Sequence, residues 1–124
     1  MRRQSQVFPT GAVIKTVNLK AGMPLVHEAL QILGRELILA RQEKCALLKL
    51  VHGYGSTGVG GEIRIAVQKR LVEMAGRDEI RGCIFGEDWT KSDEKSWALI
   101  KAHPELKRDC DLGRRNLGIT VVIL

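Results

Sequence analysis

Residues 48 to 71 read LKLVHGYGSTGVGGEIRIAVQKRL, and the fold follows from how this stretch changes character twice. It completes CALLKLVH, Cys45 to His52, a short apolar run closed by glycine, which is the pattern of a buried central strand. It then passes through five glycines in the nine positions from Gly53 to Gly61. From Gly61 to Ala75 the apolar residues Ile63, Ala66, Val67, Leu71 and Met74 fall on one helical face, and Gly76 is a suitable stop. A strand that runs through a glycine loop into a helix is where open α/β sheets place their ligand sites.

Working outward, AVIKTVNL (Ala12 to Leu19) is β-branched and ends at a turn, which predicts a first strand. From Pro24, Val26, Ala29, Leu30, Leu33, Leu37 and Ala40 recur at helical spacing, with Pro24 suited to the first turn. EIRGCIF, ending at Phe85, predicts a third strand, and GITVVIL at the C-terminus a fourth. Between them lies a polar insertion at about 86–111, expected to hold a short helix with Thr90 and Asp93 as a capping box and Pro104 just past its end. Residues 1–11 read as a flexible arm and 12–124 as one domain. The predicted architecture is an α/β two-layer sandwich: a mixed four-stranded sheet carrying two main helices, with parallel pairing across each strand–helix–strand connection.

Twenty Lys and Arg against fourteen Asp and Glu give a net charge of +6, a balance suited to a polyanionic partner such as RNA or DNA. Cys45, Cys83 and Cys110 are odd in number and have no Cys-x-x-Cys spacing, so neither a disulfide framework nor a zinc knuckle is indicated. No uncharged apolar run approaches the roughly 18 residues of a membrane span, and no apolar segment follows the N-terminal arginines. The expectation is a soluble cytoplasmic protein with reduced thiols.

Gly53-Tyr54-Gly55-Ser56-Thr57-Gly58 satisfies G-x-G-x-x-G, but the acidic residue that a dinucleotide ribose needs about twenty positions on is missing, since Asp78 and Glu79 precede the next strand. A Walker-type loop fails because Val59, not Lys, follows Gly58. A general polyanion cradle remains, with outward backbone N–H groups, a helix start near Gly61 and the charge of Arg64. Beside it His52 is either a hydrogen-bonded buried residue or a contact to the ligand, and Tyr54 is a candidate stacking platform for an unpaired base. Glu87, Asp88, Asp109 and Asp111 are the one acidic set a metal could use; they read as solvated charge, and neither metal nor cofactor is assigned. His27 and His103 read as structural, and Trp89 and Trp97 as core or cover residues or a partner surface.

The stretch from Leu48 to Leu71, together with DLGRRNLGITVVIL at the end of the chain, resembles the small MutS-related (Smr) domain family. The first looks like that family's strand ending in His-Gly-x-Gly before an Arg-containing helix, and the second like its closing Gly-x-Thr-Val-Val-x-Leu strand. The resemblance covers about Val17 to Leu124, and the Gly60-Gly61 extension is similar to the family's longer-loop branch. It implies a stand-alone domain with a fold similar to the C-terminal domain of translation initiation factor three, acting on nucleic acid. Members cleave DNA or RNA, some in DNA repair, or engage ribosomes. His52, Gly53, Gly55 and Gly58 match the conserved loop. Where many members carry Asp-x-His on the first strand, Asn18 and Lys20 stand here. Asparagine takes no proton, and lysine is normally protonated, so binding is implied more strongly than cleavage.

The expected phosphate-binding set is therefore Gly53, Tyr54, Gly55, Gly58, Gly60 and Gly61 of the loop, with a basic rim of Lys20, Arg64, Arg114 and Arg115. His52 is the candidate catalytic base, able in principle to take a 2′-hydroxyl proton from RNA. The alternatives are an RNA or DNA endonuclease acting through His52, or a protein-interaction module for ribosomal or repair partners.

Overall fold

A computed structural model describes residues 12–54 and 59–124. Residues 1–11, read above as an arm, lie outside the described residues, as do Gly55 and Gly58. The element order is β1 (Ile14–Asn18), α1 (Val26–Gln42), β2 (Leu47–Val51), α2 (Val59–Gly76), β3 (Gly82–Phe85), α3 (Glu94–Ala102) and β4 (Ile119–Ile123). Short 3-10 turns at Gly86–Asp88 and Pro104–Arg108 flank α3. The four strands form one mixed sheet in the order β1-β2-β4-β3. β1 and β2 pair in parallel, Ile14 opposite Leu47 through Asn18 opposite Val51. β4 runs antiparallel to both β2 and β3, with Leu50 and Phe85 each opposite Thr120. The C-terminal ends of β1, β2 and β3 and the start of β4 therefore share one end of the sheet.

Strand alternation sends Leu48, Leu50 and Val122 to one face, where Leu33 and Leu37 of α1 and Ile63, Val67 and Leu71 of α2 bury them. Leu47, Ile119, Val121 and Ile84 point to the other face. The expected two-layer sandwich left that second face bare. Instead Trp89, Ile100 and Leu106, all essentially inaccessible, pack onto it from the segment read as a polar insertion. Each such side chain contributes on the order of 2 kcal/mol by burial, which favours the segment packing down as a third layer. Its polar composition hid this, because only these few positions face inward.

Local signals differ in detail. α1 starts at Val26, leaving Pro24 ahead of the N-cap Leu25, whose N–H is taken by the Glu28 carboxylate at 2.8 Å. At α3 the cap is Asp93 alone: its carboxylate accepts the Ser96 N–H at 3.0 Å, while Thr90 bonds Ser92. His103 caps the C-terminal end of that helix, next to Pro104. No helix among the described residues is long and apolar enough to cross a membrane.

Candidate nucleic-acid interface

β2 ends at Val51, and the next two backbone N–H groups, of His52 and Gly53, both donate to the Gly118 carbonyl at 2.9 and 3.0 Å. This closes the sheet end and aims the His52 side chain at the helical face, where it is fully buried. Nδ1 lies 2.6 Å from the Gly53 carbonyl oxygen, and Nε2 lies 2.8 Å from Thr120 Oγ1. Gln68 of α2 donates to the same Thr120 Oγ1 at 3.2 Å. A carbonyl only accepts, so Nδ1 carries the proton and Nε2 accepts from the threonine hydroxyl, which itself accepts from Gln68. In the neutral imidazole that burial favours, the polarity runs one way, Gln68 to Thr120 to His52 to Gly53. Burial lowers the His52 pKa below its ordinary 6.5 despite the Gly53 carbonyl, and nearby Arg64 adds to the lowering.

His52 thus grips the first residue of the glycine loop. Gly53 sits at φ +74°, a conformation that costs glycine nothing and other residues a steric penalty. An ideal Cβ built there would lie 3.5 Å from Lys20 Cδ, so the Lys20 side chain runs beside Gly53. Lys20 is itself held in a turn by its N–H donating to Asn18 Oδ1 at 2.9 Å, which gives Asn18 a local structural task. Tyr54 is 55% exposed, its ring edge beside Gly118. It lines an open cleft of about 640 Å³ with Arg114, Arg115, Cys110, Asp111 and Asn116.

Of the expected basic rim, the structure brings Lys20, Arg114 and Arg115 to the same sheet end, all exposed and none ion-paired among the described residues. Arg64 differs: it turns toward Glu87 at 3.5 Å and is partly buried, so its charge is committed. Gly60 and Gly61 also move out of the loop, since α2 begins at Val59 and takes both into its first turn.

One network escaped the sequence reading. Lys49, in the middle of β2, is buried on the face away from α1 and α2 and bonds Asp109 at 2.8 Å and Asp111 at 2.7 Å. Trp89 Nε1 donates to Asp109 at 2.9 Å, and Asn116 Nδ2 to Asp111 at 3.0 Å. Burial opposes the charge on both partners. The hydrogen bonds outweigh it, raising the Lys49 pKa and, with the Asn116 bond, lowering that of Asp111. Of the four carboxylates weighed as a metal set, Asp109 and Asp111 are tied to Lys49 and Glu87 to Arg64, while Asp88 stands exposed and apart from them. A lysine inside LLKLV was the available signal, because a charge in a central strand demands a buried partner.

Chemically, this sheet end offers cations, an exposed ring and a loop anchored by a neutral imidazole with both nitrogens engaged. No family model matches the chain, and no curated protein and no solved structure is significantly similar to it.

Proposed function

We propose that the chain is an Smr-like nucleic-acid-binding domain that grips single-stranded RNA or DNA at the C-terminal end of its sheet. The observation that carries this reading is the exposed Tyr54 ring in one cleft with Arg114 and Arg115, with Lys20 beside the adjoining Gly53, all three cations free of ion-pair partners among the described residues. Cations spaced along a cleft take successive phosphates, and an exposed aromatic between them stacks an unpaired base. Asp111 does not spoil the site, because Lys49 and Asn116 already hold its carboxylate. Binding rather than cleavage is the better reading for His52: its two ring nitrogens are spent on Gly53 and Thr120, and a general base must reach the proton it takes.

The test is fluorescence anisotropy with labelled single-stranded and duplex RNA and DNA across a salt series, with gels read in parallel for cleavage. Three phosphate contacts give a log–log salt slope of about −2 on single strands, and Arg115→Ala lowers it by about 0.7. Tyr54→Ala weakens single-strand binding by about 1–3 kcal/mol and leaves the slope unchanged, while Tyr54→Phe keeps the affinity. Salt-insensitive binding, or none at low salt, refutes the proposal; metal-independent cleavage by the wild type favours the endonuclease.

A further inference from the structure

Two aspartates hold Lys49, and one of them also lines the cleft beside Tyr54. Asp109 is 9% exposed and well supplied with donors: Lys49 bonds Oδ1, while Trp89 Nε1 and the Asp111 N–H both bond Oδ2. Asp111 is 17% exposed and shares the cleft with Tyr54, Arg114 and Arg115. Its Oδ2 takes Lys49 at 2.7 Å and its Oδ1 the Asn116 amide at 3.0 Å. An ionised carboxylate offers about four lone-pair sites, so each of these oxygens keeps capacity for another donor. The Cys110 thiol, 3.7 Å from Oδ2, is a weak donor that an N–H group displaces. Burial pushes the Asp111 pKa up, the bonds from Lys49 and Asn116 pull it down further, and the group is ionised at neutral pH.

Asp109 alone matches the single charge of Lys49, so the second carboxylate, on the cleft wall, has lone pairs to offer a ligand. Asn116 sets its place relative to the ring. The Asn116 Oδ1 accepts the Gly118 N–H at 2.8 Å, Gly118 lies against the Tyr54 ring edge, and the Asn116 Nδ2 holds Asp111. A base stacked on Tyr54 can therefore turn its edge to Asp111. Two adjacent acceptors on the protein call for two adjacent donors on the base, and guanine has them in N1–H and the N2 amino group of its Watson–Crick edge. Adenine and cytosine set a ring-nitrogen acceptor beside their one amino group, and uracil and thymine flank their N–H with two carbonyls. Each of these turns a lone pair toward a carboxylate oxygen, which repels it. Guanine also carries O6 and N7 acceptors suited to arginine, and the cleft supplies two, Arg114 and Arg115.

We propose that Asp111 makes this cleft selective for an unpaired guanine, which stacks on Tyr54, donates N1–H and N2–H to the Asp111 carboxylate and accepts from an arginine of the Arg114-Arg115 turn. The inference rests on the nucleic-acid reading above. The test is fluorescence anisotropy on the full chain under reducing conditions, with labelled single strands of uridine RNA and of thymidine DNA carrying one central guanine, adenine, cytosine or hypoxanthine, or no substitution. The guanine probe binds about ten- to a hundredfold tighter than the adenine, cytosine and unsubstituted probes. Hypoxanthine keeps N1–H and O6 but lacks the N2 amino group, and its probe loses at least about fivefold against guanine. Asp111→Asn turns one acceptor into a donor and shrinks the ratio of guanine to unsubstituted affinity, with circular dichroism checking the fold; the comparison of guanine with hypoxanthine needs no variant. Equal affinity for every probe overturns the inference and leaves nucleic-acid binding in place, whereas no binding of any probe overturns both. Hypoxanthine bound as tightly as guanine overturns the two-donor contact, and an undiminished guanine preference in folded Asp111→Asn overturns the assignment to Asp111.

Discussion

Replacing His52 by alanine separates the two roles an imidazole could have at this sheet end. The side chain is wholly buried and makes two hydrogen bonds, to the Gly53 carbonyl and to Thr120. Losing them removes about 1 kcal/mol each, and the Thr120 hydroxyl is left beside an empty space with Gln68 as its remaining partner. The vacated volume adds a cavity cost at the lower end of the 2–5 kcal/mol typical of large-to-alanine changes in a core. The sum is about 4 kcal/mol, a large share of the roughly 5–15 kcal/mol that holds a domain folded. Urea unfolding followed by circular dichroism measures it: with a slope of about 2 kcal/mol/M, the midpoint falls by about 2 M and the slope stays constant. A side chain kept for proton transfer alone would be dispensable for stability. A loss below about 1 kcal/mol refutes the bonding scheme, and if strand cleavage vanished at the same time, His52 would return to the role of base.

The depressed His52 pKa fixes the sign of a pH effect. The unfolded chain takes up the proton near pH 6.5 and the folded one only lower, so the stabilisation is complete above 6.5 and is lost as pH falls from there toward the folded value. Asp111, held below its ordinary 3.8, adds a second loss in more acid solution, as pH falls through its own folded value. Urea midpoints between pH 8 and 4 check the first loss, which His52→Ala abolishes; a wild-type midpoint that rises on acidification contradicts it. Gly86→Ala is the backbone counterpart: its Cβ would lie 1.8 Å from the Asn116 carbonyl oxygen and 2.8 Å from that of Ile119. No rotamer relieves a clash with backbone, so the turn bearing Arg114 and Arg115 must retreat, at a cost of about 3 kcal/mol and about 10 °C in Tm by differential scanning calorimetry. A Tm within about 2 °C of wild type refutes that packing.

The strands and the two long helices were legible because burial imposes a period on their residues. The unbroken buried runs of Leu47 through Leu50 and Ile119 through Val122, and the helical spacing of Leu33, Leu37 and Ala40, are direct imprints of the core. Boundaries were less so: α1 gives up Pro24 and α2 absorbs Gly60 and Gly61, since helix ends answer to tertiary contacts as much as to local propensity. The third layer was missed because Trp89, Ile100 and Leu106 are spread through a charged segment and show no period. In the site, His52, Lys20 and the Arg114-Arg115 turn were named from sequence. Their partners Thr120 and Gln68 were not, because a threonine in a β-branched strand and a glutamine on a helix carry no signal until the fold sets them 3.2 Å apart.

The two faces of the sheet act on the same turn. On the helical face, Gln68, Thr120 and His52 hold Gly53, while the His52 and Gly53 N–H groups hold the Gly118 carbonyl. On the other face, Lys49 holds Asp111, Asp111 holds the Asn116 amide, and Asn116 Oδ1 accepts the Gly118 N–H at 2.8 Å. Gly118 is therefore clamped through both its N–H and its C=O, and the turn that carries Arg114 and Arg115 is anchored at that point. A cation on a mobile tail must surrender backbone and side-chain freedom on meeting a phosphate; one on a clamped turn surrenders little beyond its own rotamers, about 0.5–1.5 kcal/mol each. Under the proposed function this gives the buried Lys49 pair a purpose that stability alone would not, since replacing such a pair by apolar residues is often neutral or better. It also accounts for a buried histidine at a sheet end whose exposed neighbours, Lys20, Tyr54 and the two arginines, are the groups able to touch a ligand.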